Sequence, residues 1–344
     1  MMAISAKAIA EEMGLSQSTV SLALRGLPGI SNSTRQKILD KAAQMGYKKM
    51  ISAGVEAPRF LSLVLYKKHG SVLTDTPFFS DLIQGIDQEA KKQGYQVFIT
   101  YFYENQDIDE QIESLKKSLC SGVILVATEM HDRDLAPFHA LTVPLVILDR
   151  YFSEFDYDCV VINNIYGAKR AVQHLIDNGH SRIGYLHSSV EIRNFRERYE
   201  GFVKGMRLLE NTVEPKLSIV RVSPVTDEGT ANMDAWLAGN PVLPSAFFAD
   251  NDIIASSCMI SLKKAGYRIP EDVSIIGFDN MPFCMVTDPA LSTMAVDKEQ
   301  LGAFAVDFLI RRINGSTGPV IKIELKPSLV SRDSVQKISS DSCE

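Results

Sequence analysis

Long hydrophobic runs are missing from this chain: its 344 residues contain no stretch of about 18 consecutive apolar residues, so a membrane-spanning helix is not expected. Cysteine is sparse. Cys120, Cys159, Cys258, Cys284 and Cys343 are odd in number, far apart and without a CxxC or Cys/His cluster, which argues against a disulfide framework or a structural zinc. Catalytic signatures are missing too. There is no Gly-rich phosphate loop ending in Lys-Ser/Thr, no GxGxxG after a strand, no HExxH and no GxSxG, and the six histidines are scattered. His180 follows Asn178-Gly179, where capping of a helix end is the ordinary role. No catalytic residue, metal or cofactor is therefore expected. The first residues lack a basic segment followed by an apolar core, so no secretion signal is read and a cytoplasmic location is expected.

Charge is unevenly spread. The chain carries a net −6, but residues 1–50 hold seven Lys/Arg against three acidic residues, a net of +4, which leaves −10 for the rest. A small basic head on an acidic body suits phosphate contact at one end only. Within that head, Ser5–Gly26 reads as two short helices joined by a tight turn. Ile4, Ala8, Ile9 and Ala10 form one apolar stripe; Val20, Ala23 and Leu24 form the facing one. Gly14 lies at the turn and Ser16 is placed to cap the second helix. That is the helix-turn-helix pattern, although an ordinary helical hairpin shares the periodicity. A third helix opens at Ser31–Thr34, with Ser31 or Ser33 as cap, and runs to about Met45 on an Ile38, Leu39, Ala42 stripe. Lys48–Arg59, with Gly54 and Pro58, reads as a linker.

From Phe60 onward the texture changes. Near-continuous apolar runs (60–66, 95–101, 122–128, 143–149, 159–163, 182–187, 217–222, 246–250, 273–279 and 291–296) alternate with amphipathic helical segments. This predicts parallel sheets covered by helices on both faces, in two α/β lobes joined near Asn163. In such sheets ligands bind outside the carboxyl ends of the strands. The polar residues placed there are Asp149 and Arg150, Asn251 and Asp252, and Asp279 and Asn280, with Arg193, Arg196 and Arg198 opening a helix after strand 182–187. Each alone fits a cap or a surface ion pair; their recurrence at strand ends suggests a cleft.

These residues carry a resemblance. AEEMGLSQSTVSLALRG, then ISNSTRQKI, then MGY resembles the DNA-binding headpiece of the lactose-repressor (LacI/GalR) family of bacterial transcription regulators. In the body FFSDLIQGI, VPLVILDR, NNIYGAKRAVQHLIDNGHSRIGYL, RERYEGF, FADNDIIA, DVSIIGFDN and LVSRDS follow in the family's order, so the likeness spans about Ile4 to Ser334. It implies an all-α helix-turn-helix headpiece (1–47), a hinge (48–59) and a two-lobed α/β body like a periplasmic sugar-binding protein (60–334). The lobes would be 60–162 plus 292–322 and 163–291 plus 323–334, with a polar tail at 335–344.

The resemblance also implies site residues. Gln17, Ser18 and Leu22 take the base-reading positions, and Ser16, Thr19, Ser21, Ser31 and Thr34 match hydroxyls on phosphates. Asp149, Arg198, Asn251 and Asp279 match effector-contacting positions, with Phe79 as an aromatic wall. Carboxylates and amides can hold hydroxyls in pairs, and an arginine can fork onto vicinal oxygens, which suits a sugar-like effector. Partners would be a near-palindromic double-stranded operator and a second copy of the chain, since the tail lacks heptads for a tetramer. The competing readings are a transport-type solute-binding protein without a DNA role and a sugar-acting α/β enzyme.

Two departures from the family pattern stand out. Its hinge helix usually carries Pro-Asn and a leucine wedge that kinks the minor groove. Here Lys49 and Met50 replace Pro-Asn, Gly54 weakens a helix and Glu56 stands at the wedge, leaving Met50 or Val55 as substitutes. Leu22 occupies a position where the family often has arginine; it offers a thymine methyl an apolar contact in place of a fork onto guanine.

Overall fold

A computed structural model describes residues 5–24, 30–45, 47, 59–73, 77–209 and 218–338, and the chain divides at Arg59/Phe60 into a small head and a large body. Residues 48–58 of the expected linker, with Lys49, Met50, Gly54 and Glu56, lie outside the described residues, as does Ile4, while Arg59, expected to end the linker, already belongs to the first strand.

Among the described residues the head holds three helices whose ends are set by side chains that compete for backbone donors. Helix α1 (Ala6–Met13) starts at Ser5, whose side chain accepts from the Ala8 amide, and stops at Gly14 in the left-handed region (φ 64°). Helix α2 (Gln17–Leu24) is capped by Ser16 Oγ, which accepts from the Thr19 amide at 3.1 Å. Helix α3 (Asn32–Gln44) is capped in the same way by Ser31 Oγ on the Thr34 amide at 3.1 Å, so Ser31 and not Ser33 fills that role. Ile9, Ala10, Val20, Ala23, Ile38 and Ala42 meet in one core. Arg35 Nη1 donates to the Leu22 and Ala23 carbonyls, satisfying acceptors that the end of α2 leaves open. This six-residue core is small, so each cap is a sizeable share of the head's stability.

The body alternates strand and helix. Strand β1 (Arg59–Lys67) leads to α4 (Pro77–Lys92), β2 (Tyr95–Tyr103), α5 (Ile108–Lys117), β3 (Gly122–Val126), β4 (Leu145–Leu148) and β5 (Asp158–Ile162). The chain then passes to α6 (Asn164–Asp177), β6 (Ile183–Ser188), α7 (Arg193–Met206), β7 (Ser218–Val222), α8 (Thr226–Ala238), β8 (Ala246–Ala249), α9 (Asp252–Lys264), β9 (Ser274–Asp279) and β10 (Ser292–Ala295). Helix α10 (Lys298–Ile313), β11 (Lys322–Leu325) and β12 (Ser328–Val330) complete it. The strands make two six-stranded sheets, ordered β11-β5-β4-β3-β1-β2 and β12-β10-β9-β8-β6-β7. Strands β3, β4, β5, β8 and β9 are buried throughout, as near-continuous apolar runs require in a sheet covered on both faces.

The expected lobe boundaries need correction at two strands. β10 falls in the segment expected in the first lobe (292–322), yet it pairs parallel to β9 in the second sheet, Ser292 opposite Ile276. Residues 323–325 fall in the segment expected in the second lobe, yet β11 pairs parallel to β5 in the first, Lys322 opposite Cys159. Each crossover falls one short strand later than expected, after Ala295 and after Leu325. The physical tie is Asp158, which accepts from the Ile321 amide and from Arg312 Nε and Nη2, fixing β11 beside β5. Between them, α10 packs on α4 at backbone distance: a Cβ on Gly85 would fall 2.2 Å from the Glu299 carbonyl oxygen. His180 does not cap a helix with its ring. Backbone amides of Asn178, Gly179 and His180 close α6, while the buried ring reaches Ser245 Oγ (3.1 Å) and the Gln336 carbonyl (3.2 Å).

Candidate functional site

On the head, α2 exposes Gln17 and Ser18 and half-buries Ser21 and Leu22. Two hydroxyl clusters mark helix starts. Ser16 Oγ lies 2.7 Å from both Ser18 Oγ and Thr19 Oγ1, and Ser31 Oγ lies 2.7 Å from Thr34 Oγ1. The hydroxyls expected on phosphates at Ser16 and Ser31 are thus also the caps. Each cluster sits where a helix dipole and first-turn amides favour an anion.

In the body, the strand ends converge on one cleft between the two sheets. Its walls are Val72, Phe78, Phe79, Ile162, Ile192, Phe195, Ile253 and Met281, and its polar groups are Thr128, Asp149, Asn194, Arg198, Asn251 and Asp279. The space amounts to about 430 Å³ including its opening to solvent. All five residues expected at the effector line it: Phe79, Asp149, Arg198, Asn251 and Asp279. Val72, Phe78, Thr128, Ile162, Ile192, Asn194, Phe195, Ile253 and Met281 were not foreseen. Asn194 had a readable signal, since it opens the helix that carries Arg198.

Each polar group is held from behind. Asp149 ends β4 at φ 64°, accepts from Thr128 Oγ1 at 2.6 Å and from Asn194 Nδ2 at 3.0 Å. That second bond joins a first-sheet residue to α7 of the other lobe. Burial pushes the Asp149 carboxyl up to about 6, opposed by its bond from Thr128 and the charge of Arg198. Arg198 is buried and donates Nε to Asn164 Oδ1 (2.9 Å), Nη1 to the Asp250 carbonyl (2.5 Å) and Nη2 to Asp279 Oδ1 (3.0 Å). Its guanidinium lies 3.8 Å from the Phe278 ring centroid. Asp279 sits at φ 105°, a conformation that side chains rarely adopt, and burial raises its carboxyl while Arg198 opposes the shift. Asn251 caps α9 through Oδ1 on the Ile254 amide.

The remaining strand-end candidates lie outside the cleft lining. Asp252 is buried beneath it, bonded to Thr293 Oγ1 and the Met281 amide, with burial and then Asp279 raising its carboxyl to about 7. Asn280 accepts from Arg332, Arg150 donates to Asp132, and Arg193 and Arg196 line a neighbouring groove with Tyr151 and Glu197. Among the described residues, no cluster of His, Cys, Asp and Glu suits a metal ion, and no helix is long and apolar enough to cross a membrane.

Comparison with known proteins decides what this arrangement belongs to. Over 97% of its length the chain is 32% identical to the HTH-type transcriptional repressor PurR of Mannheimia succiniciproducens, 99% of which is covered. The chain belongs to the lactose-repressor family. The HTH-type transcriptional regulator GalS of Salmonella typhimurium is 28% identical over 96% of both chains. Residues 172–335 match the periplasmic binding protein-like domain. Among solved structures, a LacI-family regulator from Enterococcus faecium with bound ribose is 26% identical, with a TM-score of 0.69, covering 82% of this chain and all of that one. The CelR–cellobiose complex, at 24% identity and a TM-score of 0.71, covers 96% of this chain and 99% of that one and shares its fold. As a family member, this chain is a DNA-binding transcriptional repressor with an effector-binding body, and not an enzyme.

Proposed function

We propose that this repressor binds a near-palindromic operator as a homodimer and that a small, hydroxyl-rich effector, a sugar or a close relative, occupies the cleft between the sheets. Gln17, Ser18 and Leu22 read bases, Ser16, Thr19, Ser21, Ser31 and Thr34 meet phosphates, and Asp149, Arg198, Asn251 and Asp279 hold the effector against Phe79. The observation that carries the reading is the convergence, from four separate elements, of two carboxyls, an amide and a guanidinium in one cleft with phenylalanine walls. Asp149 and Asp279 accept from ligand hydroxyls, while Arg198 and Asn251 donate to them. The aromatic faces take the C–H surface of a ring, so a donor-rich ring with apolar faces fits both parts of the lining. The ribose and cellobiose held by the two structural relatives are of that class.

The test is fluorescence anisotropy of the full chain on DNA from upstream of its own gene, across a salt series and a panel of neutral sugars. The expected result is nanomolar binding to one palindrome, weakened steeply by salt and by deletion of residues 1–58, and shifted by one class of sugar. Sequence-indifferent binding would refute the operator reading. A sugar-driven shift that survives Asp149→Asn and Arg198→Lys together would refute the cleft assignment.

A further inference from the structure

Behind the second-lobe wall lies a polar cluster that does not line the cleft. Asp250, at the end of β8, is fully buried, and three donors fill its side chain. Tyr185 Oη donates to Oδ1; the His187 ring Nδ1 (2.6 Å) and the Ser188 amide (2.7 Å) meet Oδ2. All three donors come from β6, the neighbouring strand. The Tyr185 ring is stacked on those of His187, Tyr199, Phe202 and Phe248, with interplanar angles of 16°, 18°, 13° and 1°. Tyr199 and Phe202 stand on α7, the helix that carries Arg198. The backbone of Asp250 faces the other way: its carbonyl receives Arg198 Nη1, and the next residue, Asn251, lines the cleft.

A fully buried carboxyl is a poor way to fill a core, because an apolar side chain of similar size would avoid its desolvation. Three bonds from β6 hold the Asp250 side chain, its amide donates to the Leu186 carbonyl of the same strand at 3.0 Å, and these together hold the residue whose carbonyl accepts from Arg198. The stacked rings fix α7 against the same strand, so both ends of the Arg198–Asp250 bond are referred to β6. We infer that Tyr185, His187 and Asp250 are positioning residues for the effector site, aiming Arg198 and Asn251 into the cleft without touching the effector themselves. This inference rests on the reading that Arg198 and Asn251 meet the effector.

The test uses the full chain with Asp250→Ala and Tyr185→Phe, the second keeping the ring stack and removing one donor. Guanidinium ¹⁵N–¹H NMR, with the Arg198 signals assigned by their loss in Arg198→Lys, reads the positioning without any ligand. Resolved, slowly exchanging Arg198 Nη protons are expected in the parent chain, averaged ones in Asp250→Ala and an intermediate pattern in Tyr185→Phe. D-ribose, cellobiose and the rest of the sugar panel supply the second readout. For the sugar that binds the parent chain, affinity should fall about tenfold in Asp250→Ala and about threefold in Tyr185→Phe. Unchanged Arg198 signals alongside a lowered melting temperature would make the cluster a packing feature and overturn the inference. Altered signals in Asp250→Ala, together with sugar binding that survives Arg198→Lys, would leave the positioning intact and overturn the effector reading instead.

Discussion

Replacing Asp149 by asparagine should stabilise the protein at neutral pH while abolishing its response to effector. Asp149 is buried, and its carboxyl is raised from 3.8 to about 6. The sign follows from proton uptake. Between pH 3.8 and about 6 the folded state holds a proton that the unfolded chain has lost, so stability declines as pH rises through that window and stays reduced above it. Two pH units correspond to about 3 kcal/mol. Asparagine removes that ionisation cost and tolerates the positive φ at least as well. It can accept from Thr128 or from Asn194 but does not satisfy both as the carboxylate does, a loss of about 1–1.5 kcal/mol. The balance is a gain of about 1–2 kcal/mol at pH 7.5, or roughly 3–6 °C in melting temperature for a body of this size. Near pH 4.5 the parent Asp149 is already protonated, so the gain should vanish or reverse. Thermal melts of both chains at pH 4.5 and 7.5, without effector, measure the difference. A variant less stable than the parent by the same amount at both pH values would show that Asp149 carries no ionisation penalty and would refute the reasoning.

Glu129 should behave in the opposite sense. Its buried carboxylate accepts from the amides of Lys68, His69, Gly70, Val72 and Leu73, and against the cost of burial these bonds and that of His69 hold it down at about 2. Its contribution of about 3 kcal/mol is present above pH 4.5 and is lost as pH falls toward about 2; Glu129→Gln should therefore lower the melting temperature at pH 7 and flatten the acid limb. Ser31→Ala removes the cap of α3 and should cost the head about 1 kcal/mol, seen as faster amide exchange over residues 31–45. Leu22→Arg should move operator preference toward guanine at one base pair in each half-site, measurable by selection from randomised half-sites.

Much of the architecture is legible in the chain because burial writes itself into composition. The ten apolar runs from 60–66 to 291–296 all became strands, shifted by a few residues at their ends, since a strand covered on both faces has little room for polar side chains. The lobe boundary was not legible. β10 and β11 are each only four residues long, and only the partner strand decides which sheet each joins. At the cleft, charged strand-end residues announce themselves, whereas Phe78, Ile192 and Met281 look like any core residue until opposing lobes bring them together. The buried bonds of Asp250 were hidden for the same reason: Asp250 lies more than sixty residues from Tyr185 and His187, on the neighbouring strand.

If an effector draws the two lobes together, groups that bridge the lobes should contribute to that closure. Lys298 opens α10, which packs on α4 and on the first sheet, yet its Nζ donates to the carbonyl of Asn280 at the end of β9 in the second. It is buried, lies 3.7 Å from Asp81 of α4 and 5.8 Å from the Phe78 ring centroid, beside the cleft wall. Asn280 is in turn held by Arg332 beyond β12. One cation therefore joins α4, α10 and β9. A ligand shifts a closing equilibrium only through its different affinity for the two states, so a group that helps closure raises effector affinity without touching the effector. Lys298→Met keeps the aliphatic packing and removes the bridge. Effector affinity should fall by about five- to tenfold, within the usual range of coupling energies. Small-angle scattering of the free and sugar-saturated variant gives the check. If the variant closes as readily as the parent and binds sugar equally well, the Lys298 bridge plays no part in closure.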